Sequence, residues 1–351
     1  MIKTVRSIAV ALATGAVFSV VAAAQSVDLT GAGATFPYPI YSKWFADYAQ
    51  STGVKINYQS IGSGGGIRQL SEQTVDFGAS DGPMSDQELA AAKGGPVLHF
   101  PTVMGAVVIT YNVPGLNRPL NLTGDAIADI FAGKITKWND AQIVAQNRGV
   151  TLPNSDILVV HRSDGSGTTY IFSDYLASVN PSWSSTLGRG KEINWPVGLG
   201  GKGNEGVAGQ VKQTPGSIGY VELAYAKQNG LAFANVRNLA GQFITPSIAS
   251  VTAAAASMKL PKNTDYRVSI ANAPGKDSYP ISSMTWLLIY QNQADRVKGD
   301  KLVKFLAWAY KNGEKSAATL DYAPLPPAMV SQLQSRLKTI HIADTRVGGS
   351  Q

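Results

Sequence analysis

The sequence contains no cysteine and only three histidines among its 351 residues. The lack of cysteine excludes disulfide bonds, thiolate metal ligands, cysteine nucleophiles and a lipid attached to an N-terminal cysteine. The histidines are His99, His161 and His341, and none has the spacing of a paired helical zinc ligand. We therefore expect no metal, no cofactor and no catalytic residue, and we predict that the protein is not an enzyme.

Long apolar runs are also scarce, and the one that stands out is at the N-terminus. Residues 1–24 combine Lys3 and Arg6, an apolar run from Ile8 to Val21, and alanines up to Ala24. This order is typical of a cleavable signal peptide, and the run falls short of the roughly 20 residues that a membrane span needs. We predict export to the periplasm, with cleavage after Ala24 and no lipid anchor.

Charged residues make up only 15% of the chain, and 30 basic against 23 acidic residues give a net charge of +7. A mild positive charge can attract anions. No block of lysine and arginine resembles a nucleic-acid-binding patch, so we expect no nucleic-acid partner.

Strand and helix patterns alternate along the chain. Short β-type runs occupy residues 54–58, 107–111, 157–160 and 286–290. Amphipathic helical patterns occupy residues 40–48 and 302–309. The alternation predicts an α/β architecture with helices on both faces of a sheet. Breaks at Phe100-Pro101 and Tyr279-Pro280 lead into strong strand patterns, and we expect them to be two crossings between domains.

Three turns rich in glycine, serine and threonine each precede a helical pattern. They are GAGATFP (31–37), GSGGG (62–66) and RSDGSGTT (162–169). Such turns place backbone N–H groups and hydroxyls at the positive end of a helix dipole, where an anion can bind. Ordinary capping is the alternative for each, and Thr35 stands where an N-cap residue is expected. None has the spacing of a nucleotide-binding phosphate loop.

Two charged residues near these turns suggest a particular kind of anion. Arg162 can clamp an oxyanion with two parallel hydrogen bonds, and Asp164 can hold its guanidinium in place; a surface ion pair is the alternative. Asp81 ends the strand-like run VDFGASD (75–81). An ionised carboxylate only accepts hydrogen bonds. It can therefore bind an anion that keeps a proton near neutral pH, as phosphate does and sulfate does not. A helix cap or turn is the alternative for Asp81.

Six segments together resemble the PstS family of periplasmic phosphate-binding proteins, the substrate-binding components of phosphate ABC transporters. These segments are GAGATFP (31–37), VDFGASD (75–81), IFAGKITKW (130–138), DGSGT (164–168), GLGGKGN (198–204) and LDYAPLP (320–326). They follow the family order and span essentially the whole chain after the predicted signal peptide.

The resemblance implies an α/β fold of the type II periplasmic-binding-protein kind, with two lobes joined by a two-crossing hinge and a ligand cleft between them. Lobe I would hold residues 25–101 and 280–351, and lobe II residues 102–279. The implied function is high-affinity capture of inorganic phosphate and its delivery to the permease subunits of an ABC transporter. The protein would act as a monomer.

The resemblance also implies a set of phosphate-binding residues, with Phe36 and Gly167 acting through their backbone N–H groups. The matching positions are Thr35, Phe36, Ser63, Asp81, Arg162, Ser166, Gly167 and Thr168. Asp164 would orient Arg162. Residues 198–206 match a family motif to which we assign no ligand role, and we interpret them as a structural turn leading into a helix.

Three alternatives remain open at this point: a carrier for another tetrahedral oxyanion, a secreted phosphatase, and an adhesion protein. A phosphatase needs a metal cluster or an activated nucleophile with its base, and the sequence offers neither pattern.

Overall fold

The computed structural model describes residues 28–257 and 264–343, and the predicted signal peptide lies outside these ranges. The strands are β1 (Leu29–Gly33), β2 (Ile56–Ser60), β3 (Phe77–Ser80), β4 (Val97–Asn112), β5 (Asn121–Leu122), β6 (Leu158–Arg162), β7 (Leu199–Gly201), β8 (Ser217–Glu222), β9 (Ala232–Phe233), β10 (Asn235–Arg237), β11 (Phe243–Ile244), β12 (Ser282–Tyr290), β13 (Asn292–Gln293) and β14 (His341–Ile342). The α-helices are α1 (Tyr38–Thr52), α2 (Ser63–Ser71), α3 (Asp86–Ala90), α4 (Gly124–Phe131), α5 (Ala141–Gln146), α6 (Gly167–Val179), α7 (Pro181–Thr186), α8 (Gly203–Gln213), α9 (Leu223–Gln228), α10 (Ile248–Ala256), α11 (Arg296–Trp308), α12 (Glu314–Ala317) and α13 (Pro327–Arg336).

The main sheet follows the order β2-β1-β3-β12-β4-β8-β6-β7, and β9 also pairs with β4. Three parallel strands stand at each end of this path, β2-β1-β3 at one end and β8-β6-β7 at the other. The strands β12 and β4 run antiparallel between these two groups. The predicted α/β architecture with two lobes is confirmed, each lobe being built on one parallel group.

The long strand β4 belongs to both lobes. It pairs with β12 as far as Ala106 and with β8 from Val107 onward. The expected interruption of the strand pattern at Pro101 is wrong, because this proline lies inside β4 opposite Trp286. The register between β4 and β12 shifts at this point and leaves Thr102 without a paired residue, and a bulge of this kind is where a sheet tolerates proline.

A second segment passes between the lobes beside β4. The Val107 N–H donates to the carbonyl of Ile281 at 2.8 Å, immediately before β12 begins. The Tyr279 hydroxyl donates to the carbonyl of Val107 at 3.0 Å. Among the described residues, these two neighbouring chain segments therefore join the lobes, which agrees with the predicted two-crossing hinge.

Each lobe has its own cluster of packed aromatic rings. In one, Phe45 on α1 packs against Phe305 on α11 with ring centroids 5.3 Å apart. In the other, Phe172 on α6 packs against Phe131 at 4.8 Å and against Tyr220 at 4.3 Å. Separate aromatic clusters are consistent with lobes that move relative to each other as units.

The predicted helices and strands occur with shifted ends. The apolar face predicted at residues 302–309 is buried, and α11 begins where the Asp295 carboxylate accepts hydrogen bonds from the N–H groups of Val297 and Lys298. Such a cap satisfies N–H groups that have no partner within the helix. Within residues 28–257 and 264–343, no helix has the length and apolar character needed to cross a membrane.

Candidate functional site

The predicted site residues lie where the carboxyl ends of the parallel strands of both lobes meet. Open α/β sheets usually bind ligands at this edge. All eight proposed ligand residues are buried. The turns from opposite lobes touch directly, because the Gly64 N–H at the start of α2 donates to the Gly165 carbonyl at 2.8 Å.

Helix α6 begins at the centre of this contact. The Ser166 hydroxyl accepts a hydrogen bond from the Thr169 N–H at 3.0 Å and caps the helix. The first N–H groups, starting with Gly167, have no partner within a helix. A β-carbon placed on Gly167 would lie 2.4 Å from Ser63 Oγ and 2.6 Å from Asp81 Oδ2. Two side chains from the opposite lobe therefore lie against the positive end of α6.

Arg162 and Asp164 form a buried, bidentate ion pair beside this helix. Arg162 Nε donates to Asp164 Oδ1 at 2.7 Å and Nη2 to Oδ2 at 2.5 Å. Burial raises the pKa of Asp164, but the hydrogen bonds from Arg162 and the Gly203 N–H and the charge of Arg162 outweigh this effect. The pKa of Asp164 therefore lies below its ordinary value. The side chains are 1% and 13% exposed, so the surface-pair alternative is wrong. Arg162 Nη1 lies 3.2 Å from Thr168 Oγ1.

Asp81 follows β3 and is almost completely buried. Its Oδ1 accepts a hydrogen bond from Thr285 Oγ1 at 2.7 Å, and its backbone N–H donates to Ser63 Oγ at 3.2 Å. Burial raises the pKa of Asp81 to about 7, although Thr285, Arg162 and Ser63 act in the opposite direction. The helix-cap alternative is wrong, since Ser85 caps the next helix. Near neutral pH this carboxyl can therefore either carry or accept a proton.

In the turn GAGATFP (31–37), Thr35 makes contacts with the opposite lobe and does not cap a helix. Helix α1 has Pro37 at its N-cap and no side-chain cap, so the expectation that Thr35 caps it is wrong. The Thr35 carbonyl accepts a hydrogen bond from the Tyr225 hydroxyl of the opposite lobe at 2.6 Å. The Phe36 carbonyl accepts one from Tyr322 at 2.6 Å. These contacts fix the Thr35–Phe36 peptide, whose N–H was predicted to bind the anion.

Comparisons with known proteins agree with this arrangement. A family model described as a PBP superfamily domain matches residues 20–312. The phosphate-binding protein PstS of Xylella fastidiosa is 47% identical over 312 residues, which is 89% of this chain and 85% of that protein. The PstS of Pasteurella multocida is 47% identical over 317 residues, covering 90% and 91%. The chain belongs to the PstS family of phosphate-binding proteins.

Solved structures show the same fold at lower identity. A phosphate-bound, high-affinity periplasmic phosphate-binding protein, PfluDING, is 22% identical with a TM-score of 0.71, covering 88% of this chain and 93% of that one. A phosphate-binding protein from Stenotrophomonas maltophilia is 22% identical with a TM-score of 0.70, covering 89% and 94%.

Two residues outside the predicted ligand set also contact the site. Thr285 reaches Asp81 only because β12 pairs with β3, so no local signal marks it. Asn204 lies in the first turn of α8, where its Nδ2 is 2.7 Å from Thr35 Oγ1. Residues 198–206 do lead into a helix, as expected, and Asn204 at its start also positions a side chain of the site. The sequence did carry a signal for this contact, because GLGGKGN is a fourth turn of small residues that precedes a helix.

A groove of about 1040 Å³ opens beside the site and includes Gly64 and Gly165 in its lining. Lys191 crosses it, with Nζ 2.8 Å from Glu88 Oε2 on α3. The backbone carbonyl of Lys191 accepts a hydrogen bond from the Ser166 N–H at 2.8 Å. Lys191 therefore links an ion pair between the lobes to the residue that caps α6.

The assembled groups can bind an oxyanion without a metal. They supply a guanidinium, several hydroxyls, the positive end of a helix and one carboxyl that can accept a proton. In the part of the chain that the structure describes, no three histidine, aspartate or glutamate side chains are arranged to hold a metal ion.

Proposed function

We propose that this protein is an exported receptor that binds inorganic phosphate between its lobes and delivers it to the permease subunits of an ABC transporter. The observation that carries the proposal is the convergence of buried Arg162, buried Asp81 and the N-terminus of α6 at the contact between the lobes. The names of relatives at 47% identity support the choice of phosphate. In this role the protein binds and transfers its ligand without chemical change.

In this proposal the phosphate oxygens accept hydrogen bonds from the Arg162 guanidinium, from hydroxyls and from backbone N–H groups, while Asp81 accepts the proton of phosphate. Asp164 holds Arg162 in place. The proposed ligand residues are Thr35, Phe36, Ser63, Asp81, Arg162, Ser166, Gly167 and Thr168.

The energetics favour tight binding only if every phosphate oxygen is satisfied, because burying an unpaired anion is costly. Charge-assisted hydrogen bonds are the strong ones. We expect micromolar affinity or better, which corresponds to about −8 kcal/mol or more favourable. Since both lobes contribute donors, phosphate stabilises the closed arrangement relative to an open one.

The remaining parts of the proposal concern cellular context and domain limits. We propose removal of residues 1–24 on export, a periplasmic protein without a lipid anchor, and a monomer. We also propose lobe I at residues 25–101 and 280–351 and lobe II at residues 102–279. The change of strand partner after Ala106, a few residues beyond the first boundary, supports a crossing in this region.

Calorimetric titration of the mature protein, stripped of phosphate, tests the proposed function. We expect one-to-one phosphate binding at micromolar affinity or better at pH 8, and no heat with sulfate. Equal binding of both anions would indicate a general oxyanion carrier, and no heat with either would contradict the proposal and leave the phosphatase and adhesion alternatives.

The Lys191–Glu88 ion pair gives a smaller prediction. Glu88→Gln should weaken phosphate binding two- to fivefold, or about 0.5–1 kcal/mol, because the pair joins the two lobes but is partly exposed. The substitution keeps the capping box with Ser85, since glutamine can replace glutamate there. The matched control is Glu72→Gln, whose partner Lys93 lies in the same lobe; calorimetry should show wild-type affinity. A control variant that weakens binding as much as Glu88→Gln would contradict the link to closure.

A further inference from the structure

Asn204 lies between two threonines whose hydroxyls belong to the proposed phosphate site. It is fully buried. Its Nδ2 is 2.7 Å from Thr35 Oγ1 and 3.1 Å from Thr168 Oγ1, and its backbone N–H donates to Thr35 Oγ1 at 3.1 Å. Thr35 follows β1 in one lobe and Thr168 stands on α6 in the other. One residue therefore holds a hydroxyl from each lobe.

A backbone donor determines which way the Asn204 amide faces. The Glu222 N–H at the end of β8 lies 2.8 Å from Asn204 Oδ1. A backbone N–H only donates, so the acceptor oxygen of the amide faces Glu222 and the NH₂ group faces the threonines. The two hydrogens of Nδ2 are then shared between Thr35 and Thr168.

The hydrogen bonds that each threonine hydroxyl already accepts determine whether it can accept another or only donate. A hydroxyl has one proton and two acceptor positions. Thr35 Oγ1 accepts from both the N–H and the Nδ2 of Asn204. Thr168 Oγ1 accepts from Asn204 Nδ2 and from Arg162 Nη1. With both acceptor positions filled, each hydroxyl can only donate.

We propose that Asn204 is a positioning residue that makes the hydroxyls of Thr35 and Thr168 donors toward the bound anion. This inference rests on the proposed phosphate function. Asn204 acts through the two threonines and does not touch the anion. As a result, neither threonine can accept the proton of phosphate, so unprotonated oxygens face the threonines and the protonated oxygen is left for Asp81, the carboxyl of the site.

Calorimetry with phosphate at pH 8 tests the role with two variants. Asn204→Ala should weaken binding about tenfold, because the hydroxyls are free to rotate away from the anion. Asn204→Asp should weaken it at least 100-fold, since its carboxylate accepts both hydroxyl protons and adds a negative charge near the anion. The matched control is Asn238→Ala. Asn238 is a buried residue whose Nδ2 donates to the carbonyls of Gly275 and Ser278, and its removal should lower Tm but leave Kd unchanged.

A double-mutant cycle separates positioning from general destabilisation. In a Thr35→Val background, the loss of phosphate affinity caused by Asn204→Ala should fall from about tenfold to threefold or less, because one of the two hydroxyls that Asn204 orients is absent. An equal loss in both backgrounds, or wild-type affinity in Asn204→Ala, would overturn the inference. If Asn204→Asp does not fold, the alanine cycle decides alone. Absence of phosphate binding in the wild-type protein would instead overturn the proposed function.

Discussion

Replacing Gly167 with alanine should weaken phosphate binding at least 100-fold while each lobe stays folded. The added β-carbon would lie 2.4 Å from Ser63 Oγ and 2.6 Å from both the backbone N and Oδ2 of Asp81. The backbone of Asp81 cannot move aside as a flexible side chain can, so the start of α6 must retreat from the opposite lobe. Loss of one or two charge-assisted hydrogen bonds, each about 1.5–3 kcal/mol, accounts for the expected effect.

The measurement is calorimetry together with small-angle X-ray scattering with and without phosphate. Saturating phosphate should compact the wild-type protein and leave the Gly167→Ala variant extended. Gly209→Ala is the matched control, because a β-carbon on Gly209 in α8 would meet no described atom within 4 Å, and alanine suits a helix better than glycine. Tight binding by Gly167→Ala would show that α6 does not approach Ser63 and Asp81 in the bound protein.

Replacing Asp81 with asparagine should lower the preference for phosphate over sulfate by 100-fold or more. An ionised carboxylate that faces an unprotonated sulfate oxygen makes the binding free energy less favourable by several kcal/mol. A site that hydrogen-bonds a ligand's proton can bind an analogue without that proton about 10⁴-fold more weakly. Asparagine removes the charge and supplies a donor for sulfate, and its oxygen can still accept from Thr285. Competition calorimetry at pH 8 measures the preference; an unchanged ratio would contradict the role of Asp81.

The raised pKa of Asp81 also predicts how the wild-type protein responds to pH. Sulfate affinity should rise as the pH falls from 8 through about 7, because the protonated carboxyl can then donate to sulfate. The Asp81→Asn variant should show no such dependence. A sulfate affinity that is independent of pH in the wild-type protein would contradict the assignment.

Stability provides the check that Asp81→Asn is folded. Because the folded-state pKa of Asp81 lies above its unfolded value of 3.8, its contribution to stability is full below about pH 4 and is lost as the pH rises through about 7. The phosphate-free variant should therefore have a higher Tm than the wild-type protein at pH 8 and no such gain at pH 4. A carboxyl kept at this cost to stability is typical of a functional site.

Much of the local structure followed from sequence patterns. The apolar spacing of residues 302–309 predicted the buried face of α11, and the three turns of small residues do open α1, α2 and α6. These features depend on neighbours within a few positions, which local patterns report well. The same reasoning failed at Pro101, because a bulge opposite Trp286 lets the strand continue, and at Thr35, whose hydroxyl binds Asn204 instead of capping α1.

By itself, the sequence determined the α/β class, the family and three of the four turns that meet at the site, because strand and helix periodicity and the PstS motifs are properties of short segments. Only the tertiary structure decided how those turns are completed. Asp81 depends on Thr285, 204 positions away, and Thr35 on Asn204, 169 positions away. The proton affinity of a carboxyl and the donor role of a hydroxyl are set by burial and by the partners that occupy their hydrogen-bonding positions, and folding brings those partners together from distant parts of the chain.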